Sequence, residues 1–349
     1  MAGWVFVDEI LASDEQSVRA LCPGDPAVGW RQAMRRAIRD PKELCRRLEL
    51  PVSLGNSGAA EAFPVFVPLE FLSRMRVGDP SDPLLRQVLA AEPETHSPAG
   101  FVSDPLDEQK ASPLPGLLHK YHGRALLVTT GACAVHCRYC FRRHFPYQSV
   151  PKSAAAWAPA VSHIQADSSI EEVLLSGGDP LTLVDSLLGQ LVHSLDAIPH
   201  IRRLRFHTRL PIVIPQRVTD QLLELLTELR ATPWMVVHCN HVAELDEATL
   251  AALGRLIDAG IPVLNQAVLL RGVNDSVEAL EQLSLRLVDH RVQPYYLHQL
   301  DRVQGAAHFE VSEAEGRRLI AELRTRLPGY AMPQYVRELP GEASKMPVE

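Results

Sequence analysis

Residues 124–140 read RALLVTTGACAVHCRYC, an apolar run that leads directly into three closely spaced cysteines. The first part, 124–129 (RALLVT), is rich in apolar and β-branched residues, which is typical of a buried β-strand. Cys133, Cys137 and Cys140 follow within one short loop. Thiols clustered in this way, in a chain with few other cysteines, indicate a metal or redox site rather than a disulfide framework.

Further strand-like runs alternate with helical segments along the rest of the chain. They are 171–176 (EEVLLS), 203–208 (RLRFHT), 234–239 (WMVVHC), 262–269 (PVLNQAVL) and 293–298 (QPYYLH). Helix-period segments lie between them, such as Asp246 to Ala259, which Gly260 ends. Strands and helices alternating at about 30 residues per unit predict right-handed βαβ units and a parallel sheet. Six units are fewer than the eight of a closed barrel, so the predicted fold class is α/β, a partial (βα)6 TIM-like barrel, with a doubly wound sheet as the competing layout.

The amino-acid composition argues against several classes of protein. The 349 residues are 46% hydrophobic and 22% charged, so the chain can bury a core and is not disordered. A net charge of −7 argues against nucleic-acid or membrane-surface binding. No run approaches the roughly 18–20 apolar residues of a membrane helix, and residues 1–9 lack the basic and apolar regions of a secretory signal. Because Cys22, Cys45 and Cys239 are scattered, we expect a reducing cytoplasmic location.

The chain preceding the first strand is punctuated by proline. Asp40 is placed to cap a helix that begins at Pro41, and further helices are expected near Pro68 and Pro83. Residues 92–116 have the composition of a loop. No charge in the first hundred residues has an obvious chemical partner, so this part is predicted to be a structural or docking layer. The predicted domains are a helical region at 1–98, a strand–helix core at 99–310 and a C-terminal segment at 311–349.

Polar residues recur where the predicted strands end. Cys133 follows the first strand, Gly177, Gly178 and Asp179 the second, Thr208 and Arg209 the third, and His238 and Asn240 the fourth, while Gln266 lies on the fifth and His298 and Asp301 follow the sixth. The carboxyl ends of parallel strands meet at one mouth, where ligands bind in such folds. The sequence therefore predicts a single site there.

The cysteine spacing limits which metal centre that site could hold. Three thiolates suit a four-iron cluster and would leave one iron without a protein ligand. Two alternatives stay open from the residues alone. One is a structural zinc site completed by His136 or His144, and the other is a group of free thiols.

The stretch 131–145, GACAVHCRYCFRRHF, resembles the radical S-adenosylmethionine superfamily, whose members carry a C-x3-C-x2-C loop after the first barrel strand. This resemblance implies a barrel of the radical S-adenosylmethionine type. It also implies a [4Fe-4S] cluster on Cys133, Cys137 and Cys140, with S-adenosylmethionine on the open iron. An external electron donor would supply the electron that releases a 5′-deoxyadenosyl radical.

A narrower resemblance covers roughly residue 99 to the end. CRYCFRRHF (137–145), EEVLLSGGDPL (171–181), HTRLPIVIPQR (207–217), VHCNHVAEL (237–245), NQAVLLRGVND (265–275) and PGEASK (340–345) together resemble the lysine 2,3-aminomutase family. This resemblance implies conversion of L-α-lysine to β-lysine, with pyridoxal phosphate supporting the 1,2-amino migration. The string LDRVQGAAHF (300–309) is most similar to the branch that supplies β-lysine for modification of elongation factor P, which implies a link to that factor and its ligase.

The lysine 2,3-aminomutase resemblance also implies roles for individual residues. Lys345 matches the pyridoxal phosphate lysine and Arg142 the group that binds the substrate carboxylate. Asp301 and Glu338 match the two acids that hold the ε-ammonium, although the family pattern has aspartate at the position of Glu338. The matched S-adenosylmethionine positions are Ser176, Gly177, Gly178, Asp179, His238, Asn240 and Gln266, and those around pyridoxal phosphate are Lys120, Tyr121 and Arg124.

Several alternatives to these roles remain open. Without the resemblance, Lys345 is a solvated tail lysine, Asp301 a loop acid, and Arg142 part of a basic patch with Arg138 and Arg143. The glycine-rich run of the family is replaced by 341–344 (GEAS), which alters the expected phosphate contacts. The competing functions are an aminomutase for another amino acid, such as glutamate, and a non-catalytic metal-stabilised binding module.

Overall fold

A computed structural model describes residues 29–349. Cys22 and the segment inspected for a secretory signal lie outside the described residues. Within residues 29–349, the strands form one nine-stranded sheet in sequential order. They are β1 (Leu117–Tyr121), β2 (Arg124–Thr130), β3 (Glu172–Gly177), β4 (Arg203–Thr208), β5 (Thr232–His238), β6 (Val263–Val268), β7 (Gln293–His298), β8 (Gln334–Arg337) and β9 (Met346–Pro347). Strands β2 to β8 are parallel, and β1 and β9 pair antiparallel at the two edges.

Helices connect each parallel strand to the next. The α-helices are α1 (Trp30–Arg35), α2 (Pro41–Arg47), α3 (Ser57–Ala62), α4 (Leu69–Leu72), α5 (Pro83–Arg86), α6 (Ala154–Ala166), α7 (Asp185–Asp196), α8 (Leu210–Val213), α9 (Asp220–Thr227), α10 (Glu247–Asp258), α11 (Val277–Asp289) and α12 (Glu313–Leu323). Asp246 caps α10 by accepting a hydrogen bond from the Thr249 amide, and Gly260 follows it with φ +81°. None of the helices described is long and apolar enough to cross a membrane.

The predicted open α/β barrel is confirmed, and all six predicted strands are present. The doubly wound alternative is wrong, because strands β2 to β8 follow one another without the reversal of order that defines that layout. The seventh parallel strand, β8, was not predicted. Its four residues, QYVR, have no apolar run of their own, and the strand depends on pairing with β7. The edge strands β1 and β9 were also missed.

The sheet curves so that side chains near its two edges, at β1 and after β8, come into contact. Lys120 on β1 and Glu338, directly after β8, form an ion pair with 3.1 Å between Nζ and Oε1. Backbone pairing runs from β1 to β9 without joining these edges. The barrel therefore stays open, and the gap is bridged by charged side chains that face its mouth.

The N-terminal helices belong to the main hydrophobic core. Met34, Leu44 and Phe71 are buried in the same cluster as barrel residues such as Phe206. Arg74 adds polar contacts, because its Nη1 donates to the carbonyl of Ile212 at 2.6 Å and also to that of Glu244. This region is therefore part of the folded core.

Gly178, after β3, is expected to tolerate no side chain. A Cβ at this position would lie 2.1 Å from the Ala132 carbonyl oxygen, so the backbone of the cysteine loop would have to move. We expect Gly178→Ala to lower the free energy of unfolding in urea by about 3 kcal/mol, the upper end of overpacking costs. Gly254→Ala is the control, since nothing lies within 4 Å of its Cβ position in α10, and it should gain about 0.5–1 kcal/mol. Equal unfolding midpoints for Gly178→Ala and the unmodified protein would contradict this prediction.

Candidate functional site

A cavity of about 290 Å³ opens at the carboxyl ends of the parallel strands. It brings together every predicted site residue except Asn240. These are Lys120, Tyr121, Arg124, Cys133, Cys137, Cys140, Arg142, Ser176, Gly177, Gly178, Asp179, His238, Gln266, Asp301, Glu338 and Lys345. The predicted convergence of strand ends therefore exists in the fold.

The three loop cysteines form one wall of this cavity, and each is a free thiol. Burial, together with the neighbouring thiols, raises the pKa of Cys133 well above its ordinary value and that of Cys140 to about 12. Forming thiolates at Cys133 and Cys140 is therefore costly unless a bound cation compensates their charge. The soft donor set and its cavity-facing position fit an iron–sulfur cluster.

The two histidines proposed for the zinc alternative have other partners. Nδ1 of His136 is hydrogen-bonded to the Pro64 carbonyl at 2.8 Å, and its ring stacks on Phe63. Nε2 of His144 lies 3.4 Å from the Gln304 carbonyl oxygen. Within residues 29–349, no three His, Cys, Asp or Glu side chains are grouped so as to hold a single metal ion. The geometry therefore gives no support to a mononuclear site completed by either histidine.

Two buried arginines of the cysteine loop share one carboxylate partner, Glu94. Nε and Nη2 of Arg138 donate to its carboxylate at 2.9 and 2.7 Å, and Nη2 of Arg143 does so at 3.0 Å. This one carboxylate leaves one of the two positive charges of the proposed basic patch uncompensated beside the cysteine loop. The expectation that charges in the first hundred residues lack partners is wrong. Glu94 was missed because a lone acid in a proline-rich loop has no informative spacing.

Arg142 also has a carboxylate partner. Its Nε and Nη2 both donate to Glu108 at 2.7 Å, and its Nη1 donates to Ser176 Oγ at 3.1 Å. Glu108 is buried and comes from the loop before β1, where nothing in the sequence distinguished it. This bidentate pair holds the guanidinium plane so that Nη1 lies beside the end of β3.

The segment after β3 packs against the cysteine loop. The amides of Gly178 and Asp179 donate to the carbonyls of Thr130 and Ala132, both at 2.7 Å. The buried Asp179 carboxylate accepts hydrogen bonds from Thr208 Oγ1 at 2.7 Å and from the amides of Leu181, Arg209 and Leu210. The glycines thus permit close backbone packing within the protein, and Asp179 joins the ends of β3 and β4.

Asn240 lies behind the cavity wall, at hydrogen-bonding distance from its lining residues. Its Nδ2 donates to Tyr139 Oη at 2.6 Å and to Gln87 Oε1 at 2.9 Å, while its Oδ1 accepts from the Val268 amide. Nε2 of His238 is 2.8 Å from the same Tyr139 hydroxyl. Burial, assisted by the charge of Arg209, lowers the pKa of His238 to about 3, so its imidazole is neutral. Asn240 therefore supports the wall and does not line the cavity.

Two acids and two lysines also line the cavity, namely Asp301, Glu338, Lys120 and Lys345. Glu338 accepts hydrogen bonds from Lys345 Nζ at 2.5 Å and from Lys120 Nζ at 3.1 Å, and Lys120 also lies 3.6 Å from Glu108. Burial alone would raise the pKa of Glu338, but the two ammonium groups lower it. Burial and the charge of Glu338 raise the pKa of Asp301 to about 7. Alternating charges thus run from Arg142 to Lys345.

The raised pKa of Asp301 predicts a pH-dependent stability. Between about pH 4 and pH 7 the unfolded chain has lost this proton and the folded protein keeps it, so the contribution of Asp301 to stability falls as the pH rises. The slope from this residue is at most about 1.4 kcal/mol per pH unit. The free energy of unfolding of Asp301→Asn, measured relative to the unmodified protein, should therefore rise with pH over this range, whereas that of exposed Asp289→Asn should keep a constant difference. Urea unfolding across this pH range measures it, and parallel curves for Asp301→Asn and the unmodified protein would disprove it.

Comparison with known proteins places this site in a family. Residues 127–283 match the model of the radical SAM superfamily. The chain is 47% identical over 323 residues to the L-lysine 2,3-aminomutase of Escherichia coli strain K12, covering 92% of this chain and 94% of that protein. It is 43% identical over 331 residues to the Haemophilus influenzae protein of the same name, covering 93% and 98%, and 42% identical over 320 residues to that of Buchnera aphidicola, covering 91% and 94%. With these matches extending over nearly its whole length, the chain belongs to the L-lysine 2,3-aminomutase family of the radical SAM superfamily.

Proposed function

We propose that this protein is an L-lysine 2,3-aminomutase, an isomerase that converts L-α-lysine to β-lysine. One observation carries the proposal. A single cavity is lined by three thiols, by Arg142, and by the acids Asp301 and Glu338 together with Lys345. Such a cavity offers complementary charge to the carboxylate and to the distal ammonium of one lysine molecule.

The residues present fit the three cofactors of this family. Cys133, Cys137 and Cys140 would hold a [4Fe-4S] cluster, and Lys345 would hold pyridoxal phosphate. Bound there, the cluster with S-adenosylmethionine supplies a 5′-deoxyadenosyl radical, and pyridoxal phosphate supplies an aldehyde that carries the migrating nitrogen. The residues proposed around S-adenosylmethionine are Ser176, Gly177, Gly178, Asp179, His238 and Gln266, with Asn240 supporting the wall behind them. Those proposed around pyridoxal phosphate are Lys120, Tyr121 and Arg124.

Arg142 is proposed to bind the substrate carboxylate. Glu108 takes two of its donors, and Nη1 remains directed toward Ser176 at the cavity wall. A guanidinium held in this way loses little conformational freedom when a carboxylate binds. Glu108 is therefore proposed as a positioning residue for Arg142.

Asp301 and Glu338 are proposed to bind the ε-ammonium. A buried ammonium is costly unless it is paired, so two acids at this end favour lysine over shorter or uncharged amino acids. Glu338 already accepts hydrogen bonds from Lys120 and Lys345, which holds its longer side chain in one orientation. An arriving ammonium would also favour the charged form of Asp301, whose pKa is raised.

Apolar side chains line much of the rest of the cavity and restrict the access of water. Leu118, Leu126, Leu174, Val268 and Leu300 all face it. A site that generates a reactive carbon radical needs such shielding, because thiols and other hydrogen-atom donors from solution would quench it. These residues take no part in bond making in this scheme.

The cellular role is proposed from the string LDRVQGAAHF (300–309). Its similarity to the elongation factor P branch supports a role in supplying β-lysine for modification of that factor through a ligase. An external one-electron donor and a cytoplasmic location complete the proposal. The division into 1–98, 99–310 and 311–349 stays a prediction.

Anaerobic incubation with single amino acids tests the function. The reconstituted protein, S-adenosylmethionine, pyridoxal phosphate and a reductant are combined with L-lysine, L-glutamate or another amino acid, and β-isomers are scored by mass spectrometry. We expect β-lysine to dominate, and Asp301→Asn and Glu338→Gln to reduce it. Isomerisation of glutamate instead of lysine would establish the alternative aminomutase. Absence of both β-isomers and 5′-deoxyadenosine would favour a binding module.

A further inference from the structure

Arg209 makes a contact with the cysteine wall that the proposed reaction does not use. This residue follows β4 directly and is buried. Its Nη1 donates to Cys137 Sγ at 2.8 Å and to Tyr139 Oη at 2.8 Å. A charged donor is therefore directed at the sulfur of one proposed cluster ligand from within the protein.

The guanidinium is held in place by its other partners. Nη2 donates to Glu244 Oε2 at 2.8 Å and to Gln87 Oε1 at 2.7 Å. Glu244 is itself fixed, because its Oε1 accepts from the Asn240 amide at 2.9 Å and from Gln87 Nε2 at 3.1 Å. The plane also lies over the ring of Phe71. With partners on several sides, Arg209 has little freedom to turn away from Cys137.

The backbone of Arg209 is fixed as firmly as its side chain. Its amide donates to Asp179 Oδ2 at 2.7 Å, and the preceding Thr208 hydroxyl donates to Asp179 Oδ1. The ends of β3 and β4 therefore fix the backbone position of Arg209. Gln87, from the N-terminal region, binds the guanidinium group at the tip of its side chain. Three separate parts of the chain converge to present one N–H group to one sulfur.

This arrangement has a definite effect on an iron–sulfur cluster held by Cys137. Adding an electron places more negative charge on the cluster sulfurs, and hydrogen bonds and positive charge near them stabilise that reduced form. The effect is large when the donor is buried, because water does not screen it.

We propose that Arg209, fixed by Glu244 and Gln87, donates an N–H···S hydrogen bond to Cys137 that raises the reduction potential of the cluster. Arg209 is a positioning and tuning residue in this scheme, and Glu244 and Gln87 act through it. The inference rests on the proposed function only in requiring the cluster. A higher reduction potential makes electron transfer from the external one-electron donor to the cluster more favourable.

The test measures the reduction potential of the reconstituted full-length protein without substrate, by redox titration followed by electron paramagnetic resonance. The double variant Arg209→Gln/Glu244→Gln removes both charges, so no unpaired buried charge remains. Arg209→Lys keeps the charge but shortens the donor. We expect the same iron content in both, with the potential shifted to more negative values, most in the double variant.

Arg217→Gln/Asp185→Asn is the matched control. Arg217 is a fully buried arginine whose Nη2 pairs with Asp185 at 2.6 Å, and its other hydrogen bonds go to the carbonyls of Leu181 and Leu183. Its replacement should affect stability and leave the potential unchanged. An unchanged potential in Arg209→Lys and in the double variant would overturn the inference. If the double variant does not fold, the reduction potential of Arg209→Lys alone tests the inference.

Failure of the proposed function gives a different result from failure of this inference. If the reduction potential shifts as expected in the variants but the protein isomerises no amino acid, the proposed function is wrong and the role of Arg209 stands. A protein that isomerises lysine with potentials equal in all variants would do the reverse. Unmodified protein that takes up no iron on reconstitution would overturn both.

Discussion

Replacing Lys345 with alanine is expected to lower the turnover of lysine by ~10³-fold or more and to remove the absorbance of bound pyridoxal phosphate. An amine at this position is the group that can react with the cofactor aldehyde, and alanine offers no nucleophile. Lys345 is about one-quarter exposed and its Nζ lies 2.5 Å from Glu338, and within residues 29–349 none of its hydrogen bonds or ion pairs involves a cysteine of the thiol wall. Its loss should leave the cysteine wall intact.

Absorbance spectra, iron content and β-lysine formation distinguish the outcomes for Lys345→Ala. Iron content should equal that of the unmodified protein, which separates cofactor loss from misfolding. Lys110→Ala is the control, because Lys110 is an exposed lysine whose ion-pair partner, Asp107, is exposed too. A Lys345→Ala protein that keeps the pyridoxal phosphate absorbance would show that another residue holds this cofactor.

Replacing Glu94 with alanine is expected to lower the free energy of unfolding by about 3–5 kcal/mol, the cost of leaving a buried charge without its partner. Arg138 is completely buried and Arg143 nearly so, and both donate to this one carboxylate. The change would leave two guanidinium groups uncompensated in the loop that carries Cys137 and Cys140. We therefore also expect less iron to be retained after reconstitution.

Urea unfolding and iron analysis measure the effect of Glu94→Ala. Glu92→Ala is a close control, because Glu92 lies in the same short turn but is exposed and binds Asn56. That change should alter the free energy of unfolding by less than about 0.5 kcal/mol. Equal effects of the two substitutions would mean that the ion pairs of Glu94 contribute little to stability.

The prediction of the sheet depended on local patterns. Each of the six predicted strands is a short apolar or β-branched run, and most predicted site residues stand near one end of such a run. Arg142, Glu338 and Lys345 were assigned from the family resemblance alone. Strand β8 lacks such a pattern and was missed. Its four residues form a strand because β7 offers unpaired backbone groups beside them, which only the assembled sheet provides.

The partners of the buried charged residues could not be predicted from the sequence for a related reason. Glu94 and Glu108 are single residues in loops, with no repeat or spacing to mark them. Arg209 was expected at the site because it follows a predicted strand, but nothing in the sequence indicated its partners. Glu94 reaches Arg138 across 44 positions, and Arg209 reaches Cys137 across 72. Such pairs form only when the chain brings distant segments together, and burial then makes each pair energetically important.

The amino-acid sequence by itself determined the parallel strand–helix array and the three-cysteine loop, because periodicity and spacing are properties of neighbouring residues. From the array it also determined that chemically active groups would meet at the carboxyl ends of the strands. Only the tertiary structure decided which carboxylate neutralises each buried arginine and which arginine contacts Cys137. Those choices depend on distance and exclusion of water between remote segments, and neither quantity exists until the chain is folded.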